Sequence, residues 1–419
     1  MTTVAYIANE FPSPLEPYVM DEIGELRRRG VRVICCSGRR VPRKGLNSTE
    51  LGFREESFAF HPLRLIEVAR AASCLAFEPH HLRVLLHALH RKKRSRRTAR
   101  LRAYGHTIMG AALAGQLAAF DVEHIHAHHG YFSCWMALVA AELLGIGFSF
   151  TLHGSDLLMG RADFLAAKLE RCAFCVTVSN FNRDFILERY PSTPSSKVIV
   201  QRLGVDPVSS SKTTLLEPDK RRAYLLSVGR LHAVKNHQFL IEACAALRDE
   251  GRDFVCWIAG EGPERPALER RIEASQLQGH VFLLGMVPRA ELSWYYRLTD
   301  LFVLTSRSEG IPVTLMEAMA HGRLTLSPAI TGIPELVQHG RTGFLYEAGS
   351  LPDFLRSVQW VLGQKDSLEG VRHAAAESIS VSYDRRRNLG QFADQFLNRI
   401  GHAEEEHANS LLQQVQLSV

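Results

Sequence analysis

At 419 residues the chain is too long for one ordinary hydrophobic core and fits two domains of roughly 200 residues each. Its 46% hydrophobic and 22% charged residues are those of a globular α/β enzyme, and no apolar run is long enough to span a membrane, because Gln116 and Glu142 interrupt the two best candidates. The net charge of +6 is a local patch: between His61 and Ala103 stand eleven Lys and Arg against Glu67 and Glu78, so that segment alone carries +9.

The chain opens with a strand-like run from Val4 to Ala8, with no basic leader before it, which argues against a signal peptide and for a cytoplasmic protein. A helix is expected over Val19 to Arg29 and a strand over Val31 to Cys36. The basic segment 82–102 follows, with Leu82, Val84, Leu85, Leu86 and Leu89 at helical spacing ahead of Arg91-Lys92-Lys93-Arg94-Ser95-Arg96-Arg97. This pattern suits peripheral attachment to an anionic membrane, or a solvated helix with its apolar face in the core. No aromatic interleaving or recognised module supports nucleic acid. Strands at His124 to His126, Phe148 to Leu152, Val176 to Val178 and Val198 to Val200, with a helix from Trp135, complete a first parallel sheet.

Residues 206–220, rich in Ser, Thr and Pro, read as a linker between a domain of 1–205 and one of 221–383. The second domain repeats the style, with strands at Leu225 to Val228, Val255 to Ala259, Val281 to Leu284, Leu301 to Thr305 and Leu324 to Ser327. A helix over 384–400 and a polar tail over 401–419 close the chain. Eight scattered cysteines fit core packing; Cys172-x-x-Cys175 has redox or metal spacing but no second pair.

The most informative stretch runs from Ser308-Glu309-Gly310-Ile311-Pro312 to Glu317-Ala318-Met319-Ala320-His321-Gly322. It places two carboxylates eight residues apart across a loop-to-helix junction, where unpaired backbone N–H groups and the helix dipole favour a phosphate or a sugar oxygen. Glu309 would face the ligand, and Glu317 would point back from the helix. Two other strand ends carry glycines: Ser227-Val228-Gly229-Arg230-Leu231 with Lys235, and Ala259-Gly260-Glu261-Gly262-Pro263. Two glutamates flanking an amphipathic helix are also common solvated positions, and the company of these glycine turns is what argues against that reading here.

These motifs, with Ser306-Arg307-Ser308-Glu309-Gly310 and Gly332-Ile333-Pro334-Glu335, resemble the GT-B glycosyltransferases, specifically glycosyltransferase family 4 of the bacterial surface-glycan and exopolysaccharide type. The resemblance implies an α/β GT-B fold, two Rossmann-like domains facing across a deep cleft, with the last helix bracing the N-terminal domain. It implies a retaining hexosyltransferase taking a nucleotide sugar, UDP- or GDP-hexose, and a saccharide or lipid-linked acceptor. Arg230 and Lys235 would stabilise the departing diphosphate, Glu309 would lie beside the sugar and Glu317 would accept from the ribose. Gly229, Gly260, Gly262, Gly310, Ile311 and Pro312 would bring backbone to the donor.

In the N-terminal half the match rests on His124-Ile125-His126-Ala127-His128, on Thr151-Leu152-His153-Gly154-Ser155-Asp156, and on Thr177-Val178-Ser179-Asn180. By the two-residue period His124, His126 and His128 share one strand face. The resemblance puts a histidine against the donor sugar, with His126 and His128 as candidates. His153 and Asp156 would border the acceptor, and Glu16 is a candidate acceptor contact in a loop that lacks the glycines many members carry there. No Asp-x-Asp motif occurs, and neither a metal nor another cofactor is expected; three histidines alone do not complete a zinc shell. An epimerase or phosphorylase on the same fold, a transferase acting on a soluble small molecule, and a non-catalytic binding protein are the competing readings.

Overall fold

The structure is a computed structural model that describes residues 1–14, 16–63, 66–69, 71–72, 97–159, 164–208 and 222–416. The chain divides into two compact units, unit 1 of Met1–Gln201 with Leu389–Val419 and unit 2 of Arg202–Asn388.

Unit 1 is built on seven parallel strands in the order β3-β2-β1-β4-β5-β6-β7: β1 Thr3–Glu10, β2 Arg32–Arg39, β3 Phe58–Ala59, β4 His124–His128, β5 Gly147–Leu152, β6 Phe174–Thr177 and β7 Val198–Val200. Both faces are covered, so the strands read as near-continuous apolar runs whose alternate residues enter different cores. Along β1, Val4, Tyr6 and Ala8 pack with Val19, Ile23 and Leu26 of helix α1 (Pro17–Arg28) and with Phe392 and Phe396. Ala5 and Ile7 face the opposite core. There they meet α3 (Arg97–Leu117) and α4 (Phe132–Leu144); α2 (Ser48–Glu56) lies between β2 and β3 in the chain.

Unit 2 has six parallel strands in the order β10-β9-β8-β11-β12-β13: β8 Ala223–Val228, β9 Phe254–Ala259, β10 Val281–Gly285, β11 Leu301–Val303, β12 Leu324–Pro328 and β13 Phe344–Tyr346. Leu225, Leu301 and Val303 enter one core and Leu226, Phe302 and Leu304 the other. In both sheets the strand order reverses once, at β1/β4 and at β8/β11, and a crevice beyond the strand ends at such a point is where open α/β sheets bind ligands.

The segments entering and leaving unit 2 are tied to each other. The Val205 N–H donates to the Tyr383 carbonyl at 2.9 Å, Arg385 N–H returns to the Val205 carbonyl at 3.1 Å, and Asn388 Nδ2 donates to the Leu203 carbonyl at 2.9 Å. A Cβ on Gly204 would stand 2.7 Å from the Arg385 and Tyr383 backbone, so this approach needs glycine.

Three features differ from the sequence expectation. The short strands β3 and β13 go unsignalled because two or three residues are too few to show a period. The last helix, α15 (Arg385–Gln416), runs well beyond 400, through a stretch rich in Ala, Glu, Leu and Gln with no proline to stop it. Positions 82–96 of the basic segment, and the linker beyond 208, lie outside the described residues.

Candidate functional site

The unit 2 site grows from the ends of β8, β9 and β11. After β8 the chain turns at Gly229, whose N–H donates to the Ala259 carbonyl at 2.9 Å, and Leu231 N–H donates to the Glu261 carbonyl at 2.9 Å. Gly260 has φ +147°, and a Cβ there would lie 2.0 Å from the Gly229 carbonyl oxygen. A Cβ on Gly262 would lie 2.3 Å from the Leu231 carbonyl oxygen. These two glycines let one strand-end loop lie on the next, backbone to backbone. The Lys235 stem crosses Gly229, and its Nζ reaches Glu309 Oε1 at 2.6 Å, a largely buried pair 74 residues apart in sequence.

Glu309 is fixed from its other side. The Thr331 hydroxyl donates to the Glu309 carbonyl at 2.6 Å and accepts from the Glu309 N–H at 3.2 Å. A Cβ on Gly332 would stand 2.0 Å from the Gly310 carbonyl oxygen. Ile311 is buried, and Pro312 is the N-cap of α11 (Val313–Ala320), whose first turn has no side-chain cap. Its leading N–H groups therefore present the positive end of the helix dipole beside Glu309. Arg230 is exposed and has no ion-pair partner among the described residues.

About one turn into α11, the half-buried Glu317 accepts from the Tyr296 hydroxyl at 3.0 Å and lies 3.3 Å from Arg289 Nη2. Both partners sit on α10 (Arg289–Leu298). Burial pushes the Glu317 carboxyl above the ordinary carboxylate range, while Arg289 and Tyr296 hold it back. The sequence reading names Glu317 and misses Tyr296, Arg289 and Thr331, whose positions make sense only once α10 and the 329–332 turn are folded against the loop.

The unit 1 edge is made differently. His124, His126 and His128 share one face of β4, under Phe396 of α15, with His126 5.1 Å from that ring. His126 is fully buried, and both its nitrogens are taken, by Ser149 Oγ at 2.8 Å and Thr151 Oγ1 at 3.0 Å. Burial holds His124 down to about 3, and burial with the neighbouring histidines holds His126 well below the ordinary histidine value, so both rings are neutral at pH 7. His128 is also fully buried; its Nδ1 meets His153 Nε2 at 3.1 Å, and its Nε2 lies 3.1 Å from Glu22 Oε2, within ion-pairing distance. Tyr6 donates to the same carboxylate oxygen at 3.5 Å.

His129, which the sequence reading passes over because the alternation ends at His128, carries the charge here. It sits at φ +65°, with Nε2 3.0 Å from Glu16 Oε1 and Nδ1 3.5 Å from Asp156 Oδ2. Burial would lower its pKa, but the two carboxylates raise it to about 10. Asp156 is fully buried and accepts from the N–H groups of Gly130 at 2.9 Å, His153 at 3.1 Å, Gly154 at 2.9 Å and Leu157 at 3.1 Å. Burial works against its charged form, yet His129 and these donors hold it well below the usual carboxylate range. Lys168, also buried, donates to the Gly130 and Tyr131 carbonyls at 2.7 and 3.0 Å and fixes the same turn. The structure thus unites Glu16, His153 and Asp156 around His129, while His126 stands apart, inside the sheet.

Glu22, His126 and His128 offer ligand atoms within 4.8 Å of one another. Both His126 nitrogens are already engaged by hydroxyls, so the set does not fit a metal without breaking those bonds. The seven described cysteines are free and buried, with burial raising the Cys172 thiol to about 12, as inert core thiols behave.

Residues 15–208 match the family described as Glycosyltransferase Family 4, and residues 214–378 match Glycosyl transferases group 1. A Salmonella typhimurium glycosyltransferase named for colanic acid biosynthesis, WcaL, is 33% identical over 207 residues, 48% of this chain and 51% of the relative. The amylovoran biosynthesis glycosyltransferase AmsK of Erwinia amylovora is 36% identical over 162 residues, 37% of this chain and 40% of the relative. The chain therefore spans about half or less of the length of these two curated relatives. Among solved structures, sucrose-phosphate synthase of Thermosynechococcus elongatus superposes with TM-score 0.74 at 16% identity, over 96% of this chain and 100% of that one. Anabaena HepE in complex with UDP gives 0.68 at 16% identity, over 95% and 100%. Likeness at that identity establishes the fold, two Rossmann-like α/β domains of GT-B type.

Proposed function

This chain belongs to the GT-B glycosyltransferases of family 4, and from that premise we propose that it moves a hexose from a nucleotide sugar, UDP- or GDP-linked, to a saccharide or lipid-linked acceptor in surface-glycan synthesis. The Lys235–Glu309 pair at the glycine-built loops carries the reading. A diphosphate arriving at Arg230 and Lys235 competes with Glu309 for the ammonium and leaves that carboxylate beside the sugar. The backbone at Gly229, Gly260, Gly262, Gly310, Ile311 and Pro312 admits the donor closely, and Glu317 accepts from the ribose.

The bond from the anomeric carbon to the diphosphate breaks, and the acceptor oxygen bonds to the same carbon on the same face, giving retention. The acceptor proton leaves with the phosphate. Fixed cations supply the charge stabilisation, so no metal is required. Glu16, His153 and Asp156 border the acceptor, with His129 as the cation among them. His126 and His128 are both candidates for the donor sugar; each is fully buried with partners at both ring nitrogens, and His128 is the one at the strand end.

The acceptor's membrane would be met by the basic segment 82–102. In its described part and just beyond, Leu101, Tyr104 and Ile108 are exposed on one face of α3, with Arg102 beside them. A soluble small-molecule acceptor is the second reading, favoured by N-acetyl-alpha-D-glucosaminyl L-malate synthase of Bacillus anthracis, 24% identical over 297 residues.

The test is nucleotide release from a panel of UDP- and GDP-hexoses, with lipid extract or small-molecule acceptors, in the presence and absence of EDTA. Turnover is expected with one donor, only with acceptor, unaffected by chelation and lost in Lys235→Ala. Release without acceptor requirement, or rescue by divalent ion after chelation, overturns it. Co-sedimentation with anionic vesicles at low and high salt checks the membrane contact.

A further inference from the structure

The turn that carries Thr331 is built against the preferences of its own residues. Ile333 N–H donates to the Ile330 carbonyl at 3.0 Å, which closes a four-residue turn with Thr331 and Gly332 at its centre. Thr331 has φ +46°, and Gly332 has φ −80° and ψ −5°. Positive φ followed by negative φ is the type II′ pattern, whose first central place belongs to glycine. Here the glycine stands second, where the angles are ordinary, and threonine stands first. Of the six non-glycine residues with positive φ among the described ones, Thr331 alone is β-branched, and such a residue in that region is a strained outlier.

Contacts account for both choices. Gly332 is needed for space, since its Cβ would stand 2.0 Å from the Gly310 carbonyl oxygen. Thr331 brings a hydroxyl, which donates to the Glu309 carbonyl at 2.6 Å and accepts from the Glu309 N–H at 3.2 Å. One side chain thus holds both polar backbone groups of Glu309, and with them the direction in which its side chain leaves the loop. The turn is anchored on its far side, where Ala329 N–H donates to the Tyr346 carbonyl of β13 at 2.9 Å. The other hold on Glu309 is Lys235, and it grips the carboxylate itself. A diphosphate that takes the ammonium releases that hold and leaves the Thr331 clamp in place.

We propose that Thr331 is a positioning residue for the transfer step: its hydroxyl keeps Glu309 aimed at the donor sugar once Lys235 has turned to the diphosphate. The strained turn persists because glycine, which would relax it, has no hydroxyl to offer. The inference rests on the reading of Glu309 given above. Strain held at one residue for the sake of another predicts that stability and turnover part company there.

The test measures kcat and donor KM of the full chain with the UDP- and GDP-hexose panel and acceptor extract, the Kd of UDP and GDP by calorimetry, and the melting temperature. Thr331→Ser, which keeps the hydroxyl, should turn over within about twofold of wild type. Thr331→Val and Thr331→Gly should each lose about tenfold in kcat while the nucleotide Kd stays at its wild-type value. Of these two, Thr331→Gly should melt higher, because it alone relieves the backbone. Wild-type kcat in Thr331→Val or Thr331→Gly, or a Thr331→Ser as slow as both, overturns the clamp. So does a nucleotide Kd weakened in step with kcat, which assigns Thr331 to the folding of the loop. Glu309→Gln separates the two levels. If it is slow while Thr331→Val is not, the clamp falls and the reading of Glu309 stands; if it turns over like wild type, or no donor of the panel is used, that reading falls and the clamp with it.

Discussion

The two strand-end edges solve the same problem by opposite means. In unit 2 the loops are stacked backbone on backbone, through Gly260 on Gly229, Gly262 on Leu231 and Gly332 on Gly310, and few side chains hold the framework. In unit 1 the turn is fastened by ionisable side chains, the buried Asp156, His129 and Lys168 and the half-buried Glu16. A backbone-built edge is indifferent to pH and intolerant of any added carbon. A side-chain-built edge tolerates shape and responds to protons.

Substitution at Gly260 should break the comparison most severely. Valine there combines a 2.0 Å clash with a backbone angle that β-branched residues avoid, and should destabilise unit 2 by about 4 kcal/mol, read as loss of a cooperative melt. Asp156→Asn should cost unit 1 about 3 kcal/mol, because four N–H groups lose a charged acceptor and the buried His129 cation loses one of its two counter-charges. An unchanged denaturation midpoint would show that the turn does not depend on this carboxylate.

The pH dependence sharpens the contrast. Since the folded pKa of His129 is raised from 6.5 to about 10, its stabilisation is complete below about pH 6.5 and is lost as pH rises through 10, a decline on the order of 2 kcal/mol or more. His129→Gln should flatten that alkaline limb, whereas a limb that persists in the variant would assign it elsewhere. The smallest expected effect is at Glu317. Its raised pKa means that donor affinity should begin to fall at a higher pH than for an ordinary carboxylate, and Glu317→Gln should weaken nucleotide binding by about tenfold while removing that dependence. Calorimetry from pH 5 to 8 checks it.

Local pattern was enough for every strand of the two sheets but β3 and β13, because each of the others is an apolar run ending in glycine or polar residues. The glycines at 229, 260, 262 and 310 were legible for the same reason: a strand end with glycine signals a close approach, though not what approaches. What sequence could not supply was pairing at long range. Nothing local joins Lys235 to Glu309, or Tyr296 and Arg289 to Glu317. His129 was hidden by its neighbours, since a period-two reading of His124, His126 and His128 draws the eye to the strand face, and the residue that departs from the period is the one held between two carboxylates.

The tie at Val205, Tyr383 and Arg385 gives unit 2 the form of a parcel with its string knotted at one spot. Arg385 and Asp206, 179 positions apart, meet at 2.8 Å, so the whole stretch leaves and rejoins the chain at a single place. The entropy of closing so long a loop grows only with the logarithm of its length. Insertions or deletions inside unit 2 therefore hardly tax the knot, and a lineage can remodel the parcel's contents, or exchange the parcel, as long as Gly204 stays small enough to let the string cross itself.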